Sequence, residues 1–165
     1  MSNTARLGIP FLSPGQAQKE FFHNEALQTL DLLVGAAVAE PPRASPPASP
    51  MLGACYIVAS APTDAWAAKA QCVAGFTSGG WRFVVPFEGL ATYIRSTGTC
   101  AVYRAGVWEI GLLRGASVVI GGQQVVGSRA SAIASASGGT TVDVQARSVI
   151  DQILTAMRQH GLIDP

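Results

Sequence analysis

The chain is expected to fold as an α+β protein, with an N-terminal helix, a small antiparallel β-module of paired hairpins, a further β-hairpin and a C-terminal trimer-forming helix. Three observations in the sequence predict it. A capped apolar-periodic run ends in a cluster of prolines, a glycine-tryptophan pattern occurs twice among short β-branched runs, and the last apolar run keeps heptad spacing. Four segments follow: residues 1–40, a proline-rich linker 41–50, the β-module 51–114, and 115–165.

Residues 1–12 form a short apolar arm ending Leu7-Gly8-Ile9-Pro10-Phe11-Leu12. Ser13 suits an N-cap, Pro14 the first helical position, and Gln16 completes a capping box. Phe22, Ala26, Leu30, Leu33 and Ala37 then recur at steps of 4, 4, 3 and 4, with Leu27 and Val34 widening the stripe. This spacing predicts an amphipathic helix over 14–38 whose apolar face packs inward. Pro41 and Pro42 stop it, and five prolines in residues 40–50 predict an extended, polyproline-like spacer.

In the module, strands are expected at 55–59, 71–76, 81–85, 91–95, 100–104 and 107–112. Phe76-x-x-Gly79-x-Trp81-x-Phe83 and Tyr103-x-x-Gly106-x-Trp108-x-Ile110 repeat at an offset of 27 residues. Each copy reads as a hairpin in which glycine supplies the turn and the leading aromatic faces the tryptophan.

Two apolar runs, Val118-Val119-Ile120 and Val125-Val126, flank Gly121-Gly122 and predict another hairpin. Residues 128–139, rich in Ser, Ala and Gly, read as an irregular link. A helix is expected over 141–160, capped by Thr140 with Asp143 three residues on, and closed by Gly161. Val142, Ala146, Val149, Ile153 and Ala156, spaced 4, 3, 4 and 3, form a heptad seam and the expected oligomer interface. The alanines let three helices approach closely; packing against the N-terminal helix of the same chain is the alternative.

Eleven Lys and Arg and ten Asp and Glu leave only 13% of the 165 residues charged, about half the usual share, with a net charge of +1. No basic run exists to bind nucleic acid or an anionic membrane. No apolar run approaches the roughly 20 residues of a membrane span, and no apolar core follows the first residues as in a secretory signal. A soluble chain made in the cytoplasm, whose surface meets other chains, is therefore expected, since interface cores are poor in charge. Residues 115–142 hold one charged side chain, Arg129, which marks the second hairpin and the link as the best contact candidates. Cys55, Cys72 and Cys100 lack C-x-x-C spacing and read as reduced, mostly buried thiols.

Catalytic signals are sparse. Glu20 and His23 share a helix face at metal-ligand spacing, but one pair makes a weak site, and His160 suits a helix C-terminus. Glu88 and Glu109 are the carboxylates from which a glycosidase pair would be drawn. There is no nucleophile elbow, P-loop or dinucleotide fingerprint, so no catalytic residue, metal or cofactor is expected. Trp66, Trp81 and Trp108 with Tyr103 form a candidate stacking surface for sugar rings, Trp66 in its loop being the one expected to be exposed. Their alternative role is as the core of the module.

The run Leu7-Gly8-Ile9-Pro10-Phe11, then Gly15-Gln16-Ala17-Gln18-Lys19-Glu20, His23-Asn24-Glu25-Ala26-Leu27, Gly53-x-x-Tyr56-Ile57-Val58 and the two tryptophan hairpins resembles an uncharacterised domain family of prophages and gene transfer agents of alphaproteobacteria. The segment from Ile120-Gly121-Gly122 to His160-Gly161-Leu162-Ile163 is similar to a C-terminal segment of phage tail and head fibre proteins. The resemblance implies a virion structural protein, a homotrimeric head spike or fibre component. It would be assembled in the bacterial cytoplasm, contact other virion proteins such as capsid or tail components, and aid attachment to host surface polysaccharide. It carries no catalytic residues across. A carbohydrate-binding module and a small glycan-degrading enzyme are the competing expectations.

Overall fold

The computed structural model describes every residue except 1, 14 and 16–18. It divides into two compact units, residues 1–112 and 113–165. The first holds α1 (Lys19–Leu33), β1 (Ala37–Val38), β2 (Cys55–Ile57), β3 (Val73–Thr77), β4 (Gly80–Val84), β5 (Ala91–Ile94), β6 (Thr99–Arg104) and β7 (Val107–Ile110). All six strands expected between 55 and 112 are present, within two residues at either end.

Helix α1 ends five residues earlier than expected. Val34 N–H donates the closing bond to Leu30 C=O at 2.8 Å, and Gly35 then turns the chain with φ +56°. Ala37 and Val38 leave the helix to pair in parallel with Tyr93 and Ile94 of β5. A strand there buries Val38 almost completely, which a solvent-facing last turn would not. Of the expected helix start on Ser13, Pro14 and Gln16, the last two lie outside the described residues.

The two tryptophan hairpins belong to different sheets, β2-β3-β4 and β1-β5-β6-β7. In each, the aromatic faces its tryptophan in register: Phe76 opposite Trp81 with ring centroids 5.0 Å apart, and Tyr103 opposite Trp108 at 5.4 Å. The turns differ. Ala105 and Gly106 are both left-handed, as a type I′ turn requires, whereas in the first hairpin the left-handed residue is Gly80 and not the repeat glycine Gly79.

Strand β2 is buried on both faces. Cys55 and Ile57 pack with Leu32, Val38, Ile94 and Ala101 between α1 and the four-stranded sheet, with Val84 and Trp108 against them. Tyr56, flanked by Ala54 and Val58, packs on the other face with Trp66, Cys72 and Ala74, and Ala39, Trp81 and Phe83 close over them. The proline-rich stretch expected as an extended spacer instead bends at residues 39–41 and 44–45 and forms a strap along β2. Ala39 N–H donates to Cys55 C=O and Arg43 N–H to Ile57 C=O, and Arg43 C=O accepts from Ala59 N–H. Pro41 and Pro42 fall between the two donors, where no N–H is needed.

The N-terminal arm is held by Asp31, 3% exposed on α1. Its carboxylate accepts from Thr4 Oγ1 at 2.8 Å, Arg6 N–H at 3.0 Å and Leu7 N–H at 2.7 Å. The Arg6 guanidinium bonds to the Asp31 and Gly35 carbonyls. Asn24 adds a two-way clamp on the Leu12 backbone. On the sheet side, Arg82 of β4 donates twice to the Glu25 carboxylate, at 3.1 Å each.

The second unit holds β8 (Val118–Ile120), β9 (Gln123–Val126) and α2 (Val144–Gln159). Gly121 and Gly122, both left-handed, make the β8–β9 turn. Asp143, expected inside the helix behind a Thr140 cap, is itself the N-cap: its carboxylate accepts from Ala146 N–H at 2.9 Å. At the other end Gly161 is left-handed and Leu162 N–H reaches back to Met157 C=O, the Schellman closure expected of a C′ glycine. The link folds back on α2, with Ala130 bridging Ile163 and Arg158 donating to Ile133 C=O. Leu154 and Ile163 are the buried large apolar side chains of this unit.

Gly75 lets α1 lie directly on β3, because a Cβ there would overlap the Leu32 side chain. Gly75→Ala is expected to lower unfolding stability by about 1–3 kcal/mol through overpacking. Denaturant titration checks it; a change below about 0.5 kcal/mol would show that the helix shifts freely.

Candidate functional site

The three candidate tryptophans face the two cores. Trp66, expected to be the exposed one, is 0% exposed. A 3-10 turn over Asp64–Trp66, tied to the strap by Thr63 N–H to Ala44 C=O, drives the indole under Tyr56 and Trp81 at centroid distances of 5.7 and 5.1 Å. Apolar transfer explains the inversion: the loop composition predicts exposure of the backbone, but the largest side chain within it goes to the nearest open core. Trp81 is half-buried in the same cluster. Trp108 and Tyr103, also half-buried, share the sheet face that carries the buried Ala101. The Trp108 indole N–H donates to Gln71 C=O at 2.8 Å, which ties the β7 edge to the loop before β3.

The titratable candidates have local partners. Glu88 accepts from Ala105 N–H at 3.0 Å and stabilises the β6–β7 turn. Glu109 pairs with Arg104 at 3.5 Å on the opposite strand. His23 Nδ1 lies 2.8 Å from Lys19 C=O, a bond within one helical turn. Among the described residues no group of three or more His, Cys, Asp or Glu is placed to hold a metal ion. Burial pushes the Cys55 thiol up, against the lowering pull of Arg6, and pushes Cys72 up against Lys69. Cys100 is exposed.

What the described surface does present is apolar area without an internal partner. On α1 the expected stripe is split: Phe22, 73% exposed, Ala26, Leu30 and Val34 face solvent, with Phe21 beside them at 62%, whereas Leu27 and Leu33 are half-buried and Ala37 lies in β1. The inward face is built from Asn24, Glu25, Leu27, Gln28, Asp31 and Leu32. The overlooked signal is the polar pair Asn24 and Asp31 at i and i+7, both of which bond to the backbone of the arm lying over them. On α2 the expected seam is exposed throughout, with Val149 at 55% and Ile153 at 54%. Val142 lies just before the helix. At 100° per residue the seam centres about 120° from the face that buries Leu154. A shallow concavity runs along α2 but is lined by residues 142–159 alone, so no second element encloses it.

A family model described as "Protein of unknown function (DUF2793)" matches residues 23–109, just over half of the chain and nearly all of the first unit beyond its arm. No curated protein matches the chain.

Trp66→Ala is expected to cost about 3–5 kcal/mol in denaturant unfolding. A loss below about 1 kcal/mol would return Trp66 to the surface. A thiol reagent at neutral pH should modify Cys100 alone in the folded chain, read by mass. Because Cys55 and Cys72 ionise less readily folded than unfolded, stability should fall as pH rises above the ordinary thiol value of 9.0. Flat stability from pH 8 to 10 in the C55A/C72A double variant and a decline in the parent would isolate the two thiols; identical profiles would refute them as the cause.

Proposed function

Because the chain belongs to the DUF2793 family, whose function is unknown, we propose its role from its own surfaces: a structural, homotrimeric component of a phage-like particle, as a head spike or fibre. The carrying observation is the α2 seam. Ala146, Val149, Ile153 and Ala156 keep heptad spacing on a face that the fold of the second unit leaves in solvent, while the separate Leu154 face already serves that unit. Such a seam is the pattern of helices that bury it against copies of themselves. Its mixture of alanine with β-branched residues suits close approach about a three-fold axis.

The particle context rests on the resemblance to prophage and gene-transfer-agent proteins. In that setting the second unit joins the copies, and the first contacts other virion proteins and aids attachment to host polysaccharide. Low charge supports a chain that spends its surface on neighbouring subunits. A glycan-stacking role for Trp66, Trp81, Trp108 and Tyr103 draws no support from burial, and no enzymatic step enters the reading.

Native mass spectrometry or light scattering should give three times the chain mass at micromolar concentration. A monomer overturns the proposal. The double substitution Val149→Asp, Ile153→Asp places two unpaired charges in the seam and should weaken association at least 100-fold, about 3 kcal/mol or more, without changing the thermal transition of the first unit.

A further inference from the structure

Hairpin β8–β9 is a two-stranded ribbon with both edges open and no third strand. Its five Val and Ile side chains are between 47% and 66% exposed. By register Val118, Ile120 and Val126 share one face with Gln123, while Val119 and Gln124 share the other; the shift between Val118 and Val119 leaves Val125 as an extra residue in β9. An isolated hairpin is at best marginally stable in water, and native chains protect open apolar edges with lysine, proline or a covering element. Neither strand carries a charge or a proline.

We infer that β8–β9 is the strand-pairing element of the trimer, β8 of each copy forming a ladder with β9 of the next. The inference rests on the trimeric reading and says which segment closes it. Rotation about an axis along the strands keeps every β8 pointing one way and every β9 the other, so each contact between copies is antiparallel, like the contact within a copy. Three copies then close a ring of six strands with no edge left. A two-fold axis instead pairs like strands, β8 with β8 or β9 with β9, and leaves the other edges open.

The side chains favour a second and third copy of this chain over a different partner. Gln123 lies on one face and Gln124 on the other, so either face turned toward the axis brings a glutamine, donor and acceptor in one side chain, where a charge would meet its own sign. The hairpin carries exposed Val and Ile side chains and no charge, so a second copy meets it with no charge left unpaired.

Hydrogen exchange with mass determination on the full chain tests it. In the trimer the amides of 118–120, 123, 124 and 126 should all be protected, the bulged Val125 aside. In an unpaired hairpin the outward-pointing half should exchange at the free rate. A trimer whose outward amides exchange freely overturns the inference and leaves the trimeric reading standing; a monomer overturns both. A dimer overturns the closed ring. Ile120→Lys, placed at the hairpin turn and outside the α2 seam, should strip protection from the outward amides and weaken assembly at least tenfold. Unchanged protection and mass in that variant would also overturn it.

Discussion

The first unit depends on β2 being buried on both faces. A three-residue strand cannot supply much area, yet Cys55 and Ile57 reach one core while Tyr56 reaches the other, so both sheets and the helix are positioned from it. Such a strand must satisfy its backbone on both edges as well, since no water is present to do so. β3 serves one edge and the residues 39–44 strap serves the other. The prolines of the strap are therefore part of the core architecture: they stiffen a segment whose few available N–H groups coincide with the carbonyls β2 needs covered.

A second buried polar centre determines the orientation of α1. Asp31 is an ionisable group under an apolar arm, and its desolvation is offset only by the convergence of Thr4, Arg6 and Leu7 on it. Once Asp31 points inward, helical geometry turns Phe22, Ala26 and Leu30 outward, because they lie on the other side of the wheel. The hydrophobic stripe is real, but it is outranked by a carboxylate that must be bonded and by Arg82 holding Glu25 from the sheet. Apolar periodicity locates a face without saying which way it looks.

This is the boundary of what the sequence made readable. The hairpins were legible, because a turn glycine between an aromatic and a tryptophan fixes register within a few residues. So were the six strands and the body of α2. Trp66 was not, because a loop with Pro62, Thr63 and Asp64 reads as solvent-facing while the cavity beneath Tyr56 and Trp81 is a product of strands far away in sequence. Nor was the strap, since proline content does not say whether a stretch stands free or bends to bond a strand edge. The end of α1 was hidden for a related reason: Ala37 and Val38 satisfy a helical stripe and a parallel strand equally, and pairing with β5 decides.

The second unit poses the inverse problem. Its 53 residues, 113–165, are fewer than the roughly 70–80 at which one apolar core begins to suffice, and Leu154 and Ile163 are its buried large side chains. Backbone bonds to the link and the two helix caps organise α2 locally but remove little apolar surface from water. Fixing each residue costs on the order of 1 kcal/mol of entropy, so a unit with this little burial is not expected to persist alone. The missing area is present on the same unit, as the α2 seam and both faces of β8–β9. Scarcity of charge then takes on a specific meaning, because covering those surfaces with lysine and glutamate would make the isolated unit soluble without a neighbour. Under the trimeric proposal, assembly and folding of this segment become one process.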